Sequence, residues 1–145
     1  MQVDFHILQG DIHDYVCRLV RKAVRQVAHV CITGDEPSLR RTSRALWQSG
    51  PTDFLAHAGD WDAPQVQSLS SIRLHQDPRV APAKEVLINV GNDNILSAHA
   101  GYARVIEIID GNNPSQVQQG RARWKQYQAQ GYHPKLHNRT LQASS

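Results

Sequence analysis

The stretch Arg121-Ala122-Arg123-Trp124-Lys125-Gln126-Tyr127 interleaves basic side chains with two large aromatics and holds the densest chemistry in the chain. At helical spacing Val117, Trp124 and Tyr127 mark one face, and Arg121, Lys125 and Gln128 form a row beside it. Two arrangements suit that pattern. In one, a C-terminal helix docks its aromatics on a sheet and leaves a solvated basic flank. In the other, cations rim an apolar pocket, fit for a peptide end that carries a ring and a carboxylate or for single-stranded nucleic acid. The residues alone leave both ligands open. A second surface is Ala45-Leu46-Trp47-Gln48-Ser49-Gly50-Pro51-Thr52-Asp53-Phe54, where Trp47 reads equally as an exposed interface anchor or as a buried ring closing the core.

Other chemistries lack carriers. Neither G-x-G-x-x-G nor G-x-x-x-x-G-K-[ST] occurs, and Gln9-Gly10-Asp11 and Thr33-Gly34-Asp35 hold one glycine each. A pyrophosphate therefore has no close backbone cradle. The eight histidines are scattered; no pair has zinc-ligand spacing, and Pro134 breaks the helix that His133 and His137 would need. They read as surface or capping residues. No serine lies in G-x-S-x-G, and Cys17 and Cys31 sit in apolar stretches as reduced core thiols. No cofactor and no metal is expected.

These side chains need elements to position them, and the pattern is alternating. Val3 to Leu8 reads as a strand, and Asp11 caps a helix running to about His29 on Ile12, Tyr15, Val16, Leu19, Val20, Ala23, Val24 and Val27. His29-Val30-Cys31-Ile32-Thr33 reads as a doubly buried strand. A second helix, with Pro37 at its start, ends at Ser49-Gly50-Pro51. Asp53 to Ala56 suits a short strand, Ala58 to Pro64 a loop, and Val66 to Leu74 a strand at an edge. Glu85 to Val90 and Arg104 to Ile109 are strong strands, with one or two helical turns between Asp93 and Tyr102. The last helix follows Asn113-Pro114 and stops at Gly131; the tail from Tyr132 has little apolar content and is expected on the surface. Strand, helix, strand, helix with short connections predicts an α/β class with a mostly parallel sheet covered on both faces.

The 145 residues suit one domain. Sixteen Lys+Arg against thirteen Asp+Glu give a net charge of +3, less than a duplex-binding domain usually carries. No apolar run reaches the length of a membrane span and no secretion signal opens the chain, so a cytoplasmic location is expected.

Taken together, these fragments resemble the chi subunit of bacterial DNA polymerase III over nearly the full length. The resemblance rests on Val3-Asp4-Phe5-His6-Ile7-Leu8, Thr33-Gly34-Asp35-Glu36, Ala45-Leu46-Trp47, Asp53-Phe54-Leu55-Ala56-His57 and Glu85-Val86-Leu87-Ile88-Asn89-Val90. Its most specific part is Arg104 to Asp110, then Gly120 to Tyr127 and Gly131-Tyr132. It implies a three-layer α/β/α, Rossmann-like fold without a nucleotide, and a non-catalytic adaptor of the clamp-loader assembly. Two partners are implied: the psi subunit and the acidic C-terminal tail of single-stranded DNA-binding protein, which ends in Phe and a carboxylate. No direct contact with nucleic acid is expected. By position the tail pocket falls on Ile109, Arg121, Trp124 and Lys125, and Trp47 and Phe54 match aromatics assigned to psi. Where many relatives carry a Lys early in the last helix, this chain has Val117. The opposing class is a small nucleotide- or metal-dependent α/β enzyme using the strand-end loops and histidines.

Overall fold

A computed structural model describes residues 1–27, 29–48 and 56–140. Strands β1 (Gln2–Gln9), β2 (Val30–Thr33), β3 (His57–Gly59), β4 (Ile72–Leu74), β5 (Val86–Asn89), β6 (Arg104–Asp110) and β7 (Lys135–Thr140) form one sheet, ordered β3-β4-β2-β5-β6-β1-β7. Every pairing is parallel. The helices are α1 (Ile12–Ala23), α2 (Glu36–Trp47), α3 (Pro64–Ser68) and α4 (Pro114–Ala129). The fold is the three-layer α/β arrangement that the alternating pattern predicts.

Side-chain alternation along the strands divides the core in two. Val30, Ile32, Val86, Ile88, Ile106, Ile108 and Leu8 pack with Val16, Cys17 and Val20 of α1 and Leu39 and Leu46 of α2. Val3, Phe5, Cys31, Leu87, Val105 and Ile109 pack on the opposite face, with Tyr127 of α4. The helix starts follow the sequence: Asp11 Oδ1 accepts from His13 N at 2.9 Å, Asp35 Oδ1 from Ser38 N at 2.8 Å, and Asn113 Oδ1 from Ser115 N at 3.1 Å. Gly131, at φ +92°, takes the left-handed position just past α4.

Four segments differ from the sequence reading. Helix α1 stops at Ala23 and a turn follows, although Val24 and Val27 still pack on the core and so prolong the apolar period. Val66 to Leu74 is not one edge strand: Pro64 starts α3, Val66 and Leu69 are exposed, and only Ile72–Leu74 pairs, between β3 and β2. Ala58 and Gly59, read as the start of a loop, lie instead in the edge strand β3 with His57, too short to show alternation. The strand read at Asp53 to Ala56 lies, save for Ala56, outside the described residues.

The fourth difference matters most. The tail is largely exposed, as expected, but Lys135–Thr140 pairs with β1, Asp4 opposite Lys135 and Leu8 opposite Arg139. An edge strand with half-solvated faces needs no apolar alternation, so its sequence reads as tail. What ties it down is polar. Asp4, 1% exposed, accepts from His137 Nε2 at 3.0 Å and from Arg104 Nε at 3.1 Å. Burial alone would raise the Asp4 carboxyl, yet those two hydrogen bonds hold it below its ordinary value.

A candidate binding hollow beside the last helix

Helix α4 lies over β6 on one face of the sheet, and the β1–β7 pair extends past it. The uncovered strip is a hollow of about 390 Å³. Ile109 lies in its floor with Phe5 and Ile7; Val117, Gly120 and Trp124 form the α4 wall; Leu136 of β7 closes the far side; Arg121 and Lys125 stand at the rim. The four residues on which the family resemblance places a pocket, Ile109, Arg121, Trp124 and Lys125, thus border one cavity.

Local chemistry explains the shape. A Cβ on Gly120 would sit 2.3 Å from Ile109 Cδ1, so glycine lets α4 settle onto that side chain. Trp124 is half-buried, its ring centroid 5.0 Å from that of Phe5, and leaves part of its surface in the hollow. Arg121 and Lys125, one turn apart, are exposed. An apolar slot with two cations at its lip can take a ring and a carboxylate together.

Two residues of the basic-aromatic block serve the interior instead. Arg123 is 6% exposed and Tyr127 fully buried. Arg123 Nε donates to Glu107 Oε1 at 3.1 Å and its Nη1 to Asp93 Oδ1 at 2.9 Å, while Tyr127 Oη donates to Glu107 Oε2 at 2.9 Å. Asn89 Nδ2 adds a third donor to Glu107, at 2.9 Å. Burial pushes the Glu107 carboxyl up; Arg123 and the donated hydrogen bonds pull against it. This network fixes the rotation of α4 about its axis, and hence where Arg121, Trp124 and Lys125 point.

Sequence reasoning did not place Phe5, Ile7, Gly120 or Leu136 at the hollow. The period of two along β1 points Phe5 and Ile7 to one face, a usable signal; Leu136 had none, since β7 itself was not legible. Val117, which helical spacing puts on the aromatic face, lies in the wall.

The second surface is described in part. Trp47 ends α2 at 56% exposure, with its ring centroid 5.0 Å from that of His57, so the reading of a buried Trp is overturned. Phe54 lies outside the described residues.

The histidines are not the surface set the sequence suggested. His6, His57, His75 and His99 are buried, and His75 Nδ1 lies 2.7 Å from Asp60 Oδ1. Among the described residues no three His, Cys, Asp or Glu side chains are grouped to hold a metal ion. Both thiols are buried and free, and burial pushes Cys17 up to about 11 and Cys31 up to about 12. At the carboxyl ends of β2 and β5, side chains close on one another: Asn92 Nδ2 donates to Thr33 Oγ1 at 2.9 Å and Asn89 Nδ2 to the Asn92 carbonyl at 2.9 Å. No described helix is long and apolar enough to cross a membrane.

These features define an all-parallel, three-layer α/β protein whose cation-rimmed hollow lies beside a helix on the sheet face, not in the crevice at the strand ends where nucleotides usually bind in such folds. Among curated proteins none matches the chain. The family model described as DNA polymerase III chi subunit, HolC, matches residues 1–135. The chain belongs to this family, and so to the accessory subunits of a replicative DNA polymerase.

Proposed function

We propose that the protein is a non-catalytic adaptor of the clamp-loader assembly, working in the cytoplasm, that binds the acidic C-terminal tail of single-stranded DNA-binding protein in the α4 hollow. One observation supports the reading: Ile109, Arg121, Trp124 and Lys125, on which the family resemblance places the pocket, border one cavity. The terminal ring of the tail enters between Ile109, Phe5 and Trp124. Its carboxylate meets Arg121 and Lys125, and further acidic residues lie along the basic flank. Such a contact is partly electrostatic, so affinity falls as salt rises.

The same protein holds the psi subunit through the surface bearing Trp47 and Phe54, and psi links it to the clamp loader. An exposed tryptophan at a helix end supports that assignment for Trp47. Holding both partners at once ties the polymerase to a coated template.

Isothermal titration of the full chain with an acidic peptide ending in Phe tests the tail site. Arg121→Ala and Lys125→Ala should each weaken binding about 10-fold, as the loss of one charge-assisted hydrogen bond implies, while the melting curve stays in place. Unchanged affinity in both variants would show that the pocket is misassigned.

A further inference from the structure

The β1–β7 pair also projects past α1, on the opposite face, and leaves a second hollow of about 500 Å³. Arg18, Lys22, Lys84, Arg104 and Arg139 border it, and Glu85 is the carboxylate among its lining residues. Five cations stand against Glu85 alone in the lining, and counting the Asp4 and Asp14 carboxylates that pair with two of them still leaves +2 at this one cavity. Two of the five are engaged: Arg104 with the buried Asp4, and Arg18 with Asp14 at 3.4 Å across an exposed turn. Lys84 donates to the Ala81 carbonyl at 2.7 Å, which leaves its charge uncompensated. Lys22 and Arg139 are exposed, and neither has a carboxylate partner among the described residues.

The cations are strung out. Arg104 is level with Gln2 of β1 and Arg139 with Leu8, six residues further along the strand, which is about 20 Å. A single phosphate cannot touch both; an extended polyanion can. Between them lie aliphatic Leu19, Val27 and Ile106, and the rings of Tyr15 and His137. The positive field is felt inside: the buried His6 ring is lowered to about 4, first by burial and then by His137 and Arg139.

We infer that the α1 hollow is a contact for single-stranded DNA, with phosphates on Lys22, Lys84 and Arg139 and bases against the rings of Tyr15 and His137. The polyanion that a DNA polymerase subunit meets is DNA, and the rings give bases a surface that a string of carboxylates would not use. The contact is separate from the tail pocket on the other face and does not depend on it.

Fluorescence anisotropy of labelled (dT)20 with the full chain, in the absence of any other protein, tests the site. With three phosphates neutralised, raising salt from 50 to 200 mM should weaken binding about 20-fold. Lys22→Glu and Arg139→Glu should each reduce affinity at least about 5-fold, with unchanged melting curves. Arg79→Glu, the same reversal on a distant exposed loop, should change affinity less than about 2-fold. Four results would overturn the assignment: no binding at 50 mM salt up to about 100 µM protein, equal loss with Arg79→Glu, loss with Arg121→Glu but not with the hollow variants, or displacement by a polyglutamate peptide at lower concentration than by unlabelled (dT)20. The last two would assign the DNA to the α4 side and the α1 hollow to an acidic protein segment, respectively.

Discussion

Replacing Arg123 by Ala leaves Glu107, which is fully buried, without its cation. The carboxyl can then stay ionised, at a cost of about 3–5 kcal/mol for an uncompensated buried charge, or take a proton. Protonation at pH 7 of a group with an unfolded value near 4.3 costs about 4 kcal/mol, so the two routes are close and the loss should lie in that range. The pH dependence separates them. If the native variant holds the proton, its Glu107 value is raised above that of the unfolded chain. The stability is then fully present below the unfolded value and is lost as pH rises. Between pH 7 and pH 5 the variant should therefore recover up to about 2.7 kcal/mol relative to the parent, less whatever the parent's own raised Glu107 carboxyl recovers over that window. Urea unfolding of both proteins at the two pH values measures this, and contributions from other titrating groups cancel in the difference. A loss under about 1 kcal/mol, or a difference that does not change with pH, would refute the view that this ion pair anchors α4. Replacing both partners by Met should cost far less than Arg123→Ala, because no charge is then stranded.

Further outcomes follow from the same geometry. His6 is 5% exposed and lowered to about 4 from 6.5, so the unfolded chain alone binds a proton between those values and stability should fall by about 3 kcal/mol as pH drops through that window; an imidazole resonance titrating near 6.5 would contradict the burial. Gly120→Ala gains about 1 kcal/mol of helix propensity but drives Ile109 Cδ1, 2.3 Å from the new Cβ, aside into the hollow. Its melting temperature should move little while tail-peptide affinity falls, and unchanged affinity by calorimetry would count against Ile109 as floor. Cys17 and Cys31, buried and raised to about 11 and about 12, should resist a thiol reagent at pH 8 until denaturant unfolds the chain; rapid labelling of the native protein would show that α1 and β2 open readily.

The legible parts of this fold are those where burial leaves a period in the sequence. Helix α1 and strands β1, β2, β5 and β6 each place an apolar set against a core; the strands and the start of α1 are readable to within a few residues, while the apolar period carries α1 on to about His29, past its end at Ala23. The α4 hollow was legible in part because Arg121, Trp124 and Lys125 share one helix, and a helical period places them together. Its far wall was not: Leu136 belongs to an edge strand held by backbone pairing to β1 and by a hydrogen bond from His137 to the buried Asp4, which write no apolar pattern. Arg123 shows the converse. It looks like its basic neighbours in sequence, and only Glu107, an acid within the apolar run Val105-Ile106-Glu107-Ile108-Ile109, hinted that a cation must come inside. The α1 hollow was invisible for a related reason, since its cations come from α1, the segment before β5, β6 and β7, which no local window brings together.

The central claim is that the α4 hollow captures the tail of single-stranded DNA-binding protein, and a DNA-free pull-down tests it most directly. The full chain should be retained by intact single-stranded DNA-binding protein and released when that partner lacks its last few residues, with Arg121→Ala behaving like the truncation. Equal retention by intact and truncated partner would contradict the account.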